Sequence, residues 1–292
     1  MSRHIRLGLI QMSCSRDRDT SFATASRLLE QAAEQGVQIA IMPELFASDY
    51  FCQTEDTALF DIAEPIPGPT TELLAACAAR HKLVIVGSVF ERRTAGIYHN
   101  TSMVFDEQGG MSELYRKMHI PDDPLFLEKY YFTPGDTGFK AHQTSHARLG
   151  TLICWDQWYP EAARLTALQG AEILCYPTAI GWHPAEKAEY GEAQAGMWET
   201  IQRSHAIANG CFVAAVNRIG HEGAADGGIE FWGSSFVADP YGRVLAKGSV
   251  DREEVVIAEV DLGLIERTRQ NWPFFRDRRI DAYQGLLNRF GR

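Results

Sequence analysis

Two hydrophobic periods alternate along most of this chain. Residues 5–11 form an apolar run of strand length, and residues 21–35 repeat apolar positions at helical spacing up to Gly36. Residues 37–42 predict a strand, 70–81 a helix and 83–90 another strand. Residues 101–105 and 113–115 flank Gln108-Gly-Gly110, the pattern of a hairpin. The second half repeats this order. Residues 148–153 predict a buried strand, and 159–169 a helix with Pro160 in its first turn. Strands over 173–177 and 211–217 enclose a helix over 197–208. Residues 231–238 and 243–246 pair around Asp239-Pro-Tyr-Gly242, and 254–260 give a last strand.

Strands alternating with helices imply an α/β fold, and the hairpins imply mixed sheets. Because the two halves run in similar order, the pattern predicts two sheets built alike and packed together. No linker or low-complexity stretch interrupts the chain, so one domain is expected.

Composition narrows the function classes. The 292 residues carry a formal net charge of −10, which speaks against nucleic-acid binding as a main role. No apolar stretch approaches the roughly 20 residues that span a bilayer. The first residues, Met1-Ser-Arg-His-Ile-Arg, have no apolar leader-like core, so a cytoplasmic protein without membrane association is expected. Its six cysteines are widely spaced with no CxxC pair, unlike a disulfide scaffold or zinc ribbon. The nine histidines form no HxH pair, and there is no GxxxxGK[ST] or GxGxxG loop. Neither a metal nor a cofactor is expected.

The candidate chemistry starts at Cys154, which ends an apolar run immediately before a helix start. A thiol at a strand-to-helix turn is held out of the sheet, beside backbone N–H groups that stabilise negative charge. With an ordinary pKa of about 8.5 it needs a base or a cation. Glu44, in Ile41-Met-Pro-Glu-Leu-Phe46, stands just past a strongly apolar strand. Lys117, in Tyr115-Arg-Lys-Met-His-Ile-Pro121, follows another strand-like run. Glutamate can take the thiol proton and return it to a leaving amine, and lysine can stabilise an oxyanion. Each also has a plain reading: a solvated loop glutamate, an exposed strand end, and a buried cysteine acting as a small hydrophobe, as Cys175 and Cys211 do.

Together the three segments resemble the Glu-Lys-Cys motifs of the nitrilase superfamily of carbon–nitrogen hydrolases, over nearly the whole chain. The resemblance implies a four-layer α-β-β-α sandwich with two mixed β-sheets, Cys154 as nucleophile, Glu44 as general base and Lys117 beside the oxyanion. It implies a second glutamate, Glu128, orienting the lysine or the substrate amide, and the Trp155 N–H completing the oxyanion hole. It also implies one carbon–nitrogen hydrolase domain over residues 1–292. Within it, a tail from about 262 to 292 would serve subunit contacts in a homo-oligomer built from dimers.

Longer stretches narrow the likeness. Tyr115 to Pro124, Glu128 to Phe139, Cys154-Trp-Asp-Gln-Trp-Tyr-Pro-Glu161, Tyr176-Pro-Thr-Ala-Ile-Gly181 and Asn217-Arg-Ile-Gly220 resemble the N-carbamoylputrescine amidases. That likeness implies hydrolysis of N-carbamoylputrescine to putrescine, ammonia and CO2 in polyamine biosynthesis, through a cysteine thioester. After Gly181 the chain reads Trp-His-Pro-Ala-Glu, where plant-type members carry an acidic residue in Ser-Glu-Pro.

A cationic ureido substrate needs a carboxylate, carbonyl or aromatic face for its ammonium. The candidates are Tyr50, Asp122, Asp123, Trp182, Glu186 and Glu189, with Ala179 and His183 beside them on the loop after residue 177. Two alternatives stay open. A related hydrolase of 3-ureidopropanoate or an ω-amide would present arginine to a substrate carboxylate. A binding protein that kept the fold without the chemistry is the other. The tail Trp272-Pro-Phe-Phe-Arg-Asp-Arg-Arg279 mixes aromatics with arginines, as a subunit contact or a local clamp would.

Overall fold

The computed structural model describes residues 3–225 and 227–291; Met1 and Ser2, part of the N-terminal segment interpreted above, lie outside the described residues, as do Asp226 and Arg292. The first sheet contains β1 (His4–Gln11), β2 (Ile39–Ile41), β3 (Val84–Thr94), β4 (Ile97–Phe105), β5 (Tyr115–Arg116) and β15 (Glu254–Asp261), in the order β15-β1-β2-β3-β4-β5. The second contains β6 (Ala141–Gln143), β7 (Arg148–Thr151), β8 (Ile173–Pro177), β10 (Phe212–Val216), β13 (Phe236–Ala238) and β14 (Val244–Lys247), in the order β14-β13-β10-β8-β7-β6. Both follow one scheme. A parallel trio, β1-β2-β3 or β7-β8-β10, is flanked by antiparallel strands. The two halves are indeed built alike.

Side-chain alternation along these strands creates the layers. Leu7, Leu9, Ile39 and Ile41 of the first sheet meet Ile173, Cys175, Phe212 and Ala214 of the second in a dry core between the sheets. The opposite face of the first sheet, with Ile10, Ala40 and Ile85, is covered by α1 (Arg18–Glu34) and α2 (Pro69–His81) through Leu28, Leu29 and Leu74. The opposite face of the second, with Leu174, Tyr176 and Val213, is covered by α4 (Pro160–Leu168) and α5 (Pro184–Asn209) through Ala162, Ala163, Trp198 and Ala206. This is the α-β-β-α sandwich. Helix α6 (Gly263–Asn271) packs Ile265 against the core between the sheets, and α3 (Glu128–Tyr131) sets Tyr131 in a separate cluster with Phe51 and Phe90.

Several elements depart from the periodicity. Helix α1 starts three residues before the expected Ser21 because Asp17 caps it, its side chain accepting from the Asp19 N–H. Strand β4 pairs chiefly with β3 through a tight turn at Gly96, in addition to the expected pairing with β5. The expected strand over 231–238 is broken. Gly233 and Ser234 both take positive φ, +50° and +55°, and the chain passes from β12 (Ile229–Trp232) into β13. Strand β12 belongs instead to a small third sheet with β9 (Gly181–Trp182) and β11 (Ile219–Glu222). Helix α5 begins thirteen residues before the expected Met197; its polar first half is secured by the Trp182 indole N–H donating to the Gly191 carbonyl.

Part of the tail is a local clamp on its own core, one of its two expected readings: Phe275 lies under the guanidinium groups of Arg164 and Arg269. Beyond it, Leu287 and Phe290 are 92% and 90% exposed. Among the described residues, no helix is long and apolar enough to cross a membrane.

Candidate active site

The site residues stand just beyond strand ends at one edge of both sheets. Glu44 follows β2, Lys117 follows β5, Cys154 follows β7 and Ala179 follows β8. Carboxyl ends of strands are where α/β sheets leave backbone and side chains free to meet a ligand.

Lys117 is completely buried, and its ammonium donates to Glu44 Oε1 at 2.8 Å and to Glu128 Oε2 at 2.6 Å. Both carboxylates are completely buried too. The Tyr50 hydroxyl donates to the other Glu128 oxygen at 2.7 Å, and Asn100 Nδ2 donates to Glu44 Oε1 at 2.6 Å. The second Glu44 oxygen, Oε2, is buried without a partner. Such an oxygen is costly to desolvate, so it is a ready acceptor for a thiol proton or a substrate N–H. The loop at Gly135 packs flat on this strand end: its N–H donates to the Lys117 carbonyl, and a Cβ there would fall 1.9 Å from the Arg116 carbonyl oxygen.

Cys154 opens a 3-10 turn, Cys154–Trp158, instead of entering α4 directly. Its φ is +39°, a strained value for a residue with a Cβ, and its thiol donates weakly to the Ala179 carbonyl at 3.7 Å. The first N–H groups of such a turn have no acceptor within it, which leaves the Trp155 N–H available to an oxyanion.

Burial pushes the Cys154 thiol well above its usual range, and the Glu44 charge adds to this against the opposing pull of Lys117. The cysteine therefore rests as a neutral thiol. Burial works against the Lys117 charge, but Glu128 and Glu44 outweigh it and hold the ammonium well above its usual range. Burial raises the Glu128 carboxyl to about 7, with Lys117 opposing. All four groups sense one another, and the arrangement can accept, hold and return one proton beside a nucleophile.

A cavity of about 360 Å³ opens onto Cys154. Trp155, Ala179 and His183 line it as expected, and so do Asp123 and Glu186. Asp122 does not. Its carboxylate is half-exposed and reaches only toward Lys129, at 3.9 Å. Asp123, whose carbonyl accepts from the Phe126 N–H, lies at the exposed mouth of the cavity. Glu189 and Trp182 do not line the cavity either; the Trp182 ring is covered by the Lys187 ammonium at 4.5 Å. Tyr50 lies behind the cavity, on Glu128, rather than in it. A larger cavity of about 450 Å³ beside Arg16, Arg18 and Glu64 contains none of the four central groups.

Three buried polar residues escaped the sequence reading. Asn100 lies in the run His99-Asn-Thr-Ser102, all buried within β4, and a polar run inside a strand was the available signal. Arg218 donates to the carbonyls of Glu44 (2.6 Å), Leu45 (3.1 Å) and Ser48 (3.2 Å) and pairs with Glu222, fixing the loop where Leu45 takes a φ of +50°. Asn217 holds both the N–H and the carbonyl of Ile180, next to the Ala179 carbonyl that accepts from the thiol.

Comparison with known proteins agrees with this geometry. Residues 6–270 match the family model described as carbon-nitrogen hydrolase. The N-carbamoylputrescine amidase of Arabidopsis thaliana is 42% identical over 296 residues, covering 99% of this chain and 97% of that protein. A citrullinase of Francisella tularensis is 36% identical over 288 residues, covering 98% and 99%. The crystal structure of a carbon-nitrogen hydrolase from Helicobacter pylori G27 superposes with a TM-score of 0.95 at 46% identity, covering 99% of this chain and 100% of that one.

Proposed function

We infer the reaction from two premises: this chain belongs to the carbon–nitrogen hydrolase family, and a neutral thiol lies beside a buried carboxylate–ammonium–carboxylate cluster. The reaction is hydrolysis of a ureide through a cysteine thioester. Glu44 takes the Cys154 proton as sulfur attacks the ureido carbon, since a thiol raised by burial must lose its proton in concert with attack. The Lys117 ammonium and the Trp155 N–H stabilise the tetrahedral oxyanion, each good donor contributing on the order of 3–4 kcal/mol. Glu44 then passes the proton to the leaving nitrogen, which departs as ammonia. Water, activated by Glu44, attacks the remaining carbamoyl thioester and frees the thiol, and the N-substituted carbamate released decomposes to the amine and CO2. Glu128 and Tyr50 keep Lys117 in place.

The substrate class rests on one observation. The carboxylates lining the cavity are Asp123 and Glu186, and among the described residues no lysine or arginine lines it. That suits a ureide ending in ammonium and disfavours 3-ureidopropanoate or an ω-amide ending in carboxylate. N-carbamoylputrescine has this form, and its hydrolysis to putrescine, ammonia and CO2 places the chain in polyamine biosynthesis by the agmatine route. A second reading is citrulline, which adds a carboxylate beside its ammonium; the relative named citrullinase brings it into the comparison.

The deciding experiment is ammonia release from N-carbamoylputrescine, citrulline and 3-ureidopropanoate. Turnover should be fastest for the first, absent in Cys154→Ala, and shifted about tenfold in KM by Glu186→Gln. Preference for 3-ureidopropanoate, or activity in Cys154→Ala, overturns this assignment.

The working form proposed is a cytoplasmic homo-oligomer built from dimers, its tail set against a second copy. Six free cysteines suit a reducing compartment. The exposed Leu287 and Phe290 side chains of the tail suit an interface.

A further inference from the structure

Lys117 and Cys154 come from different sheets, yet one carboxylate is bonded to the chain on both sides of each. Asp156, completely buried, accepts at Oδ2 from the Tyr115 hydroxyl (2.7 Å) and the Ile153 N–H (2.9 Å). At Oδ1 it accepts from the His119 N–H (3.1 Å) and lies 2.7 Å from His119 Nδ1. Tyr115 and His119 stand two residues before and after Lys117. Ile153 and Asp156 bracket Cys154. The His119 ring is stacked face to face on Tyr159, at the end of the Cys154 turn, with centroids 3.7 Å apart and planes 8° apart.

Capping the 3-10 turn requires only the bond from Ile153. The other three come from the Lys117 segment and have no part in forming the turn. With two partners on each oxygen and no place in the cavity lining, Asp156 has no capacity left for substrate. We propose that Asp156 is a positioning residue that locks the Lys117 strand end to the Cys154 turn and so sets the distance between nucleophile and oxyanion cation. This rests on the roles inferred above for Lys117 and Cys154.

The perturbation follows from acceptor chemistry. An asparagine offers one acceptor oxygen, so Asp156→Asn turns an N–H group toward a backbone N–H, that of Ile153 or that of His119, whichever way its amide is set. Misplacement of a catalytic pair by about 1 Å costs on the order of 10²-fold in rate.

The test uses the full-length protein with two readouts, ammonia release from N-carbamoylputrescine and the pH profile of iodoacetamide alkylation at Cys154. Asp156→Asn should lower kcat on the order of 10²-fold with KM within about threefold. Tyr115→Phe removes one hydroxyl without altering charge, and should lower kcat about tenfold while preserving the melting temperature. In both variants the alkylation profile should move to higher pH as the thiol loses its fixed distance to Lys117. A folded Asp156→Asn with kcat within about twofold of the parent and an unchanged profile overturns the proposal. If that variant does not fold, an unimpaired Tyr115→Phe overturns it. Cys154→Ala is the control. If it stays active, the proposed reaction fails, while the alkylation profile of the Asp156 and Tyr115 variants still decides whether the lock exists.

Discussion

Replacing Lys117 by methionine keeps an unbranched side chain one atom shorter and removes the cation that Glu44 and Glu128 share. Both carboxylates are completely buried, so neither can turn to water for compensation. Removing one partner of a buried ion pair costs about 3–5 kcal/mol, because the charge left behind remains desolvated. For a chain of this size that corresponds to a fall in melting temperature of roughly 5–8 °C. The loss should depend on pH. Burial already raises the folded-state pKa of Glu128 to about 7 from an ordinary value of 4.5, with Lys117 opposing. A folded pKa above the unfolded one means that the native state holds the extra proton, so stability declines as pH rises through that interval. Without Lys117 the carboxyl is raised further, and the decline continues to higher pH. The gap between variant and parent should therefore be narrow near pH 5 and wide above pH 8. Scanning calorimetry at both ends of that range measures it. Equal melting temperatures above pH 8, or a gap independent of pH, would refute the reasoning. Activity should fall on the order of 10²–10³-fold with the loss of an oxyanion donor.

Two other perturbations test the supports of the site. Arg218→Lys keeps the charge but cannot serve the Glu44 and Leu45 carbonyls together, so chemical denaturation should show a loss of about 2–4 kcal/mol, with kcat reduced; a change within about 0.5 kcal/mol would show that the loop holds itself. Leu287→Glu combined with Phe290→Glu should dissociate the oligomer in size-exclusion chromatography with light scattering, and a parent protein that is monomeric at micromolar concentration would remove the tail from the interface.

How far the sequence reaches can be argued from particular elements. Residues 39–41, 173–177 and 212–216 are continuous apolar runs because the parallel strands they form are buried on both faces, and such runs are legible without context. The first half of α5 was not legible. Residues 184–196 have no apolar stripe, and the segment is helical because it is tied down elsewhere, by the Trp182 indole and by the Lys187 ion pair with Glu230. Strands β9 and β11 are two and four residues long, too short to show a period. The broken strand around Gly233 failed for a related reason: an apolar run gives no sign of a backbone turn that depends on two successive positive φ values.

The same contrast separates the chemical groups from the groups that hold them. Glu44, Lys117 and Cys154 could be chosen because each follows an apolar strand, and because acid, cation and thiol together complete one reaction. Asp156 and Arg218 sit in equally conspicuous segments, yet the partners that link them to the site are backbone atoms and side chains 37 to 174 residues away. A bond from a guanidinium to a distant carbonyl leaves no local pattern, since any residue at position 44 has a carbonyl. Reaction type is thus a property of residue identities, which a chain displays. Precision in a site drawn from two sheets belongs to long-range polar closure, which only the folded chain displays. The gap bears directly on substrate choice: Asp122 and Asp123 are indistinguishable in the sequence, yet of the two only Asp123 lines the cavity, while Asp122 reaches toward Lys129.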